Sequence, residues 1–576
     1  MKSPLPKVMT TGFWKALQQR GKASIRAIDD NSLVAEQMQN DMLMRLLRDN
    51  ADTEYGKRYD FANIKSVEEY KEKVPFSDYD DYAPYIERML NNETGLITNY
   101  PIVHYALSSG SVGVPKHIPV SQEAVDIYTT YGTGLVTGVM NEYYHNTRGR
   151  SFKSGHLLLG LDAKPMYTKN GTPKGPISAT TLNKVKAFLP IAMATPPEVI
   201  MPEAEMDLKY LKSRYALACE DLMGITSSFM TQAVDLMDYI KNNWQMLCDD
   251  IRLGIINDKV EMPDDLRAKL QADLKPMPER AYQLDSEFRK GFDDPIIPRI
   301  WPQFSFGTAI GTGGFAVYTK KMRKYTGKNI PYEHETYAAS EALMAVARRA
   351  GDTSFVLLPD SSYYEFVPMD SEDEETTVGI ADLEEGKEYE VILTNLSGFY
   401  RYRIEDVVRC TGFYNQAPMI EFVYRKNQML SIAGEKTNEE AVRWSVEKFI
   451  KDTGCEIVDY SVYADKSTEP GRYIMLMEAD HVVPRDKIPE YRDAIEARLS
   501  QANPSYGEKV RTGVLGPTKL EFVQQETYQL YRDMMMAKGV SPNQLKPVRV
   551  IDTPMKEAFF FGLLEDYGGS DGDGLG

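Results

Sequence analysis

The 576-residue sequence has few of the residues that build metal sites and disulfide bonds. Its four cysteines lie far apart and form no CxxC pair, which excludes a cysteine zinc site and a disulfide framework. The six histidines show no HExxH or other metal-ligand spacing. No apolar run is long enough to span a membrane, and the first residues lack the apolar core of a signal peptide. These absences predict a soluble, cytoplasmic protein with reduced thiols.

Positive charge is also in deficit, because 67 lysines and arginines face 84 acidic residues, which gives a net charge of −17. An acidic surface disfavours nucleic acid and anionic membranes as partners, although a local basic pocket for a phosphate ligand stays possible. Hydrophobic residues make up 42% of the chain, enough for a sizeable core. At this length we expect two domains, or one large domain with a smaller appendage. We also expect a monomer.

Helical and strand-like segments alternate along the first 300 residues of the sequence. Residues 32–50, 206–222 and 230–251 have apolar side chains at helical spacing, whereas residues 102–107 and 156–161 are strand-like. This alternation predicts an α/β domain with a largely parallel sheet.

Residues 108–116 read SSGSVGVPK and follow a predicted strand. Small hydroxyl residues and two glycines let backbone N–H groups approach an anion, and Lys116 adds a positive charge. The segment is not a Walker A loop, because Pro115 stands in place of the second glycine and His117 in place of Ser or Thr. A phosphate-binding loop and an ordinary Ser/Gly-rich turn are both compatible with it.

A second polar segment, YAASE, runs from Tyr337 to Glu341. An aromatic ring, small residues, a hydroxyl and a carboxylate in succession could stack a base, contact a phosphate and hold Mg²⁺. The third, residues 395–440, carries Asp406 in a strand-like run and ends in AGEKTNEE. There Thr437 and Glu440 have the spacing of a capping box, which predicts Thr437 as the N-cap of a helix that ends at Gly454.

In this order, SSGSVGVPK, YAASE, FYRYRIEDVV, SIAGEKTNEE and SPNQLKPVR resemble the motifs of the acyl acid amido synthetases of the Gretchen Hagen 3 family. That family belongs to the adenylate-forming superfamily. The resemblance covers nearly the whole chain, and its plain C-terminal tail is similar to that of a stand-alone bacterial-type member. It implies a large N-terminal α/β adenylation domain (1–424), a hinge (425–430), a small mobile C-terminal α+β domain (431–567) and a disordered tail (568–576).

The resemblance further implies a two-step reaction with ATP and Mg²⁺. A small carboxylic acid is adenylated with release of pyrophosphate, and the amine of an amino acid then takes the acyl group to form an amide. Lys436 and Lys546 are the implied catalytic residues, and Glu341 is the implied metal ligand. The implied nucleotide-binding residues are Ser108, Ser109, Gly110, Ser111, Lys116, Tyr337, Ala338, Ala339, Ser340, Glu341, Asp406 and Arg425. The implied acyl pocket includes Tyr128, Tyr131 and Phe229.

Among these residues, Asp406 is expected to accept hydrogen bonds from both ribose hydroxyls. Lys436 and Lys546 are expected to neutralise phosphate charge. One residue departs from the family pattern, because Glu405 stands where the family has glycine before the aspartate. A side chain is tolerated there when φ is negative, and on that basis we expect an active enzyme. Two alternatives stay open: a ligase that passes the acyl group to coenzyme A or a carrier thiol, and a catalytically silent nucleotide-binding homologue. No general base for the second step is evident.

Overall fold

The computed structural model describes residues 7–108, 116–149, 156–159, 166–176, 189–311, 315–332, 336–371, 375–426, 430, 432–433, 435, 437–540 and 545–566. The contacts between residues divide the chain into two compact units. The first unit comprises Met1–Gly311 and Tyr318–Phe422, and the second comprises Thr312–Val317 and Val423–Gly576.

The described helices that precede residue 423 form the helical layers around the sheets of the first unit. They are α1 (Lys7–Ser32), α2 (Ala35–Asp49), α3 (Glu54–Arg58), α4 (Val67–Lys73), α5 (Tyr79–Leu90), α6 (Gln122–Ile127), α7 (Val136–Arg148), α8 (Leu189–Ala192), α9 (Pro197–Ile200), α10 (Leu208–Ala218), α11 (Met230–Leu253), α12 (Asp264–Ala272), α13 (Pro278–Phe288), α14 (Ile297–Ile300) and α15 (Ala316–Thr326).

The described strands of this unit form three sheets. They are β1 (Ile102–Ser108), β2 (Lys116–Ser121), β3 (His156–Leu158), β4 (Met166–Tyr167), β5 (Pro173–Gly175), β6 (Gly224–Phe229), β7 (Phe306–Ile310), β8 (Thr336–Ala338), β9 (Leu343–Val346), β10 (Phe355–Leu357), β11 (Ser362–Pro368), β12 (Glu388–Asn395), β13 (Tyr402–Tyr414) and β14 (Ala417–Arg425). The strand orders are β2-β1-β5-β4, β3-β6-β7 and β11-β12-β13-β14-β10-β9-β8.

The predicted α/β class is confirmed, but the expectation of a largely parallel sheet is wrong for the largest of these sheets. Its pairs β11–β12, β12–β13, β14–β10, β10–β9 and β9–β8 are antiparallel. The reason lies in the connections, since no α-helix lies between consecutive strands from β8 to β14 in the described part of the chain. Parallel neighbours need a long crossover, usually a helix, whereas short connections give antiparallel neighbours. The sheet β3-β6-β7 is parallel, as predicted.

The helix α1 packs against a π-helix, Tyr128–Leu135, and against α7, which continues it. The apolar spacing of the sequence predicts neither α1 nor the π-helical geometry. Glycines allow the close approach of these helices, because a Cβ added to Gly138 would lie 2.6 Å from the carbonyl oxygen of Gly21. The core of this unit joins these helices to the seven-stranded sheet, with buried residues from Trp14 to Ile420.

The second unit contains a four-stranded sheet of order β17-β16-β15-β18 with helices packed on it. Its described elements are α16 (Glu439–Thr453), β15 (Ile457–Asp465), β16 (Arg472–Ala479), α17 (Ile488–Ala502), α18 (Pro504–Arg511), β17 (Lys519–Phe522), α19 (Thr527–Ala537), β18 (Val550–Ile551) and α20 (Pro554–Phe561). None of the helices in the described ranges of either unit has the length and apolar character needed to cross a bilayer.

The predicted N-cap of α16 is wrong by one residue. Asn438 is the N-cap, and its side chain accepts a hydrogen bond of 2.8 Å from the backbone N–H of Ala441. Thr437 makes other contacts: its backbone pairs with Leu430, and its hydroxyl accepts a hydrogen bond from the hydroxyl of Tyr473. The helix ends at Gly454 in the left-handed conformation, as predicted.

Candidate active site

Asp406 lies in a bulge of β13. Between the pairs Glu390–Val407 and Ile392–Arg403, β12 has the single residue Val391 whereas β13 has the three residues 404–406. Such bulges bend a strand and redirect a side chain, and they are frequent beside active sites. Asp406 is left only 3% exposed.

The backbone of the bulge passes through the left-handed region at Glu405, where φ is 63°. The condition of a negative φ, under which a side chain replaces glycine without strain, is therefore not met. A non-glycine residue there costs about 1–2 kcal/mol. The position favours glycine for a physical reason, and this chain carries glutamate in spite of it.

Tyr337 of β8 contacts Asp406 of β13, although these two strands are not neighbours in the sheet. Its hydroxyl donates a hydrogen bond of 2.8 Å to Oδ2 of Asp406, and its side chain is 8% exposed. Its ring lies 6.1 Å from that of Phe422 in a tilted arrangement. The two segments predicted to bind nucleotide, YAASE and the strand around Asp406, thus meet in the first unit.

The rest of YAASE forms the turn between β8 and β9, which is closed by a hydrogen bond of 2.9 Å from the N–H of Ala339 to the carbonyl of Ala342. Ala338 is exposed, and Ala339 and Ser340 are half-buried. Tyr128 contacts this turn from the π-helix, because its hydroxyl donates to the carbonyl of Ala339 at 2.8 Å. A predicted acyl-pocket residue therefore lies beside predicted nucleotide-binding residues.

Glu341 completes this group as a half-buried carboxylate. The hydroxyl of Tyr402 lies 3.4 Å from its Oε1, and Asn395 donates to its backbone carbonyl at 3.0 Å. Burial raises the pKa of Tyr128, and the negative charge of Glu341 raises it further. Tyr128, Glu341 and Asn395 also line one small cavity with Ser361 and Leu396.

The predicted phosphate loop connects two paired strands. Ser108 ends β1 and pairs with Lys116 at the start of β2, while Ser109, Gly110 and Ser111 lie outside the described residues. Lys116 is exposed, and its Nζ lies 4.8 Å from the centre of the Tyr79 ring. The strand predicted before the loop is confirmed.

Two predicted acyl-pocket residues are buried. Phe229 ends β6 and is 6% exposed, and Tyr131 is 1% exposed. The Tyr131 hydroxyl donates to Oδ2 of Asp360 at 2.6 Å, and Asn31 donates to both partners at 3.0 Å. Burial raises the pKa of the Asp360 carboxyl. No sequence motif points to Asp360 or Asn31, which lie 229 and 100 residues from Tyr131.

In the second unit, Lys436 lies outside the described residues. Its neighbour Glu435 is buried and hydrogen-bonded. The carboxylate of Glu435 is 3% exposed and accepts the N–H groups of Ile432 and Ala433 at 2.8 Å each, as well as the hydroxyl of Tyr473. Burial alone raises the pKa of Glu435, yet these hydrogen bonds outweigh it and lower the pKa below its ordinary value. Glu435 was not predicted as a site residue, although it stands between a glycine and a lysine in the AGEK motif.

Two further predicted residues belong to the second unit. Arg425 is the last residue of β14 and is half-buried. Lys546 is exposed, and the chain after it is anchored by Arg549, whose guanidinium donates to Oδ1 of Asp459 at 2.6 Å and lies 4.2 Å from the Tyr460 ring centre.

The sequence matches three domains of the GH3 family: the N-terminal domain at 24–331, the central domain at 355–425 and the C-terminal domain at 439–555. It is 31% identical to the putative indole-3-acetic acid-amido synthetase GH3.9 of Arabidopsis thaliana, over 90% of this chain and 92% of that protein. It is 28% identical to the jasmonoyl–L-amino acid synthetase GH3.5 of Oryza sativa subsp. japonica, with the same shares covered. The fold is similar to that of the acyl acid amido synthetase AtGH3.15 in complex with 2,4-DB, with a TM-score of 0.83 and 25% identity. The match covers 95% of this chain and 97% of that one.

Proposed function

The chain belongs to the GH3 family, and we propose that it is an ATP-dependent acyl acid amido synthetase. The observation that carries this proposal is the similarity to named synthetases over nine tenths of both chains. The position of Tyr337, Glu341 and Asp406 in one unit with Tyr128, a predicted acyl-pocket residue, supports it.

The proposed reaction has two steps. A carboxylate oxygen of the acid bonds to the α-phosphorus of ATP while the bond to the bridging oxygen breaks, so that pyrophosphate leaves and an acyl-adenylate forms. The nitrogen of an amino acid then bonds to the acyl carbon, the bond to AMP breaks, and the amine loses a proton. Steps of this kind depend on positioning and on the stabilisation of developing charge.

The residues would divide this work as follows. Asp406 would bind the ribose hydroxyls, and the segment from Tyr337 to Ser340 would line the adenine and the α-phosphate. Ser108, Ser109, Gly110, Ser111 and Lys116 would hold the phosphates, Lys436 and Lys546 would neutralise charge as pyrophosphate leaves, and Arg425 would lie near the ribose. The acid would bind near Tyr128, Tyr131 and Phe229.

Mg²⁺ suits this arrangement, because it prefers one or two carboxylates together with phosphate oxygens and water. Glu341 is a half-buried carboxylate beside the turn of YAASE and is the residue that would hold it. When bound, the ion would neutralise phosphate charge.

We also propose that residues 425–430 are a hinge between a large domain and a small mobile one. The division of contacts between Phe422 and Val423 supports a boundary in this region. A monomer in the cytoplasm, where ATP and amino acids are available, fits the proposed reaction.

The test is exchange of pyrophosphate into ATP across a panel of aryl, indole and fatty acids, followed by mass spectrometry of products formed with mixed amino acids. We expect acid-dependent exchange and an amide product. A thioester formed when coenzyme A is supplied instead would identify an acyl-CoA ligase. ATP binding in titration calorimetry with no exchange for any acid would identify a silent homologue.

A further inference from the structure

The hydrogen bond between Tyr337 and Asp406 joins two residues that have separate expected contacts with the nucleotide. The ring of Tyr337 packs on Phe422, while its hydroxyl donates to Oδ2 of Asp406 at 2.8 Å. Both side chains are at least nine-tenths buried. A hydrogen bond to an ionised carboxylate in such surroundings is roughly twice as strong as one between neutral groups.

The Asp406 carboxylate needs an orienting partner because its own torsion is weakly determined. Rotation of a carboxylate about χ2 has broad, two-fold minima, so the side chain does not fix the plane of its oxygens. Two neighbouring ribose hydroxyls can be bound at once only if that plane is fixed. A carboxylate has about four acceptor positions, and the bond from Tyr337 uses one of them.

We propose that Tyr337 is a positioning residue whose hydroxyl orients Asp406 toward the ribose, and that this bond sets the preference of the enzyme for ATP over 2′-deoxy-ATP. This role rests on the proposed ATP-dependent reaction, in which Asp406 binds the ribose. The bulge at residues 404–406 brings the carboxylate to Tyr337, and the hydroxyl then fixes its plane.

The test compares KM for ATP and for 2′-deoxy-ATP in pyrophosphate exchange with the full chain and one fixed acid. Tyr337→Phe keeps the ring on Phe422 and removes the hydroxyl. We expect the KM for 2′-deoxy-ATP divided by the KM for ATP to fall about tenfold, since that is the usual effect of losing a hydrogen bond to a charged group. Asp406→Asn should lower the ratio by at least as much, and the double variant should match Asp406→Asn.

Tyr364→Phe is the matched control, because it also removes a buried tyrosine hydroxyl, one that donates to the carbonyl of Met344 at 3.3 Å. Its ratio should equal that of the unmodified protein. Thermal unfolding of each variant separates a folding defect from a change in the ratio.

The outcomes distinguish ribose binding by Asp406 from the positioning of Asp406 by Tyr337. If Asp406→Asn leaves the ratio unchanged, Asp406 does not bind the ribose and its proposed function is wrong. If Asp406→Asn lowers the ratio but Tyr337→Phe does not, only the positioning role is overturned. Equal weakening of both nucleotides by Tyr337→Phe, or additive effects in the double variant, would show a general structural role instead.

Discussion

Tyr473 donates its hydroxyl hydrogen to Glu435, a buried carboxylate that also accepts two backbone N–H groups. This carboxylate lies inside the segment Leu430–Thr437, whose ends pair with each other through two backbone hydrogen bonds of 2.8 Å. Glu435 therefore links Ile432, Ala433 and Tyr473 beside the sequence position of Lys436, and stability and activity can be tested separately.

Glu435→Gln should destabilise the protein by about 1–3 kcal/mol at pH 7, because the new amide group cannot accept both backbone N–H bonds. The folded-state pKa of Glu435 is lowered, so its contribution is fully present above the unfolded value of about 4.3 and is lost as pH falls through the folded pKa. Urea unfolding from pH 7 downward should therefore show the two proteins converging below about pH 4. A difference that is independent of pH would exclude the carboxylate charge as the cause.

Lys436→Ala should lower pyrophosphate exchange by about 10²–10³-fold, the effect of removing one group that stabilises developing charge. Lys451→Ala is the control, because it removes an exposed lysine from α16 of the same unit and should leave exchange unchanged. Undiminished exchange in Lys436→Ala would exclude a role for this lysine in the first step.

Glu405→Gly should be more stable than Glu405→Ala by about 1 kcal/mol, since only glycine adopts φ of 63° without steric cost. Both variants remove every contact of the glutamate side chain, so their difference reports the backbone alone. Urea unfolding at neutral pH measures it. Equal stability of the two variants would mean that the left-handed conformation is not kept in solution.

These residues show which parts of the fold and of the site can be predicted from the sequence. Strands, helices and the order of the nucleotide-binding segments follow from apolar spacing and from motifs, which are local properties. The approach of Tyr337 to Asp406 spans 69 residues and depends on a bulge in β13 that apolar spacing does not encode. The left-handed conformation of Glu405 could not be predicted either, because a glycine at this position would indicate a positive φ whereas a glutamate does not.

The predicted N-cap Thr437 and the predicted parallel direction of the largest sheet are wrong, because contacts and connections beyond the local apolar pattern decide both. Thr437 and Asn438 are both good N-cap residues, and tertiary bonds of Thr437 to Leu430 and Tyr473 decide between them. The parallel sheet was expected from alternation in the first 300 residues, whereas the largest sheet is built from the uninterrupted strands β8 to β14.

Gly138→Ala should destabilise the first unit by about 1–3 kcal/mol, because its added methyl group would lie 2.6 Å from the carbonyl oxygen of Gly21 and would force α1 away from α7. Gly12→Ala is the matched control: it lies in the same α1, an added Cβ there meets no atom within 4 Å, and alanine is the better helix former by about 1 kcal/mol. Urea unfolding should therefore move the two variants in opposite directions. The π-helix that precedes α7 carries Tyr128, so Gly138→Ala should also raise KM for the acid. An unchanged KM would show that the packing of α1 on α7 does not affect acid binding.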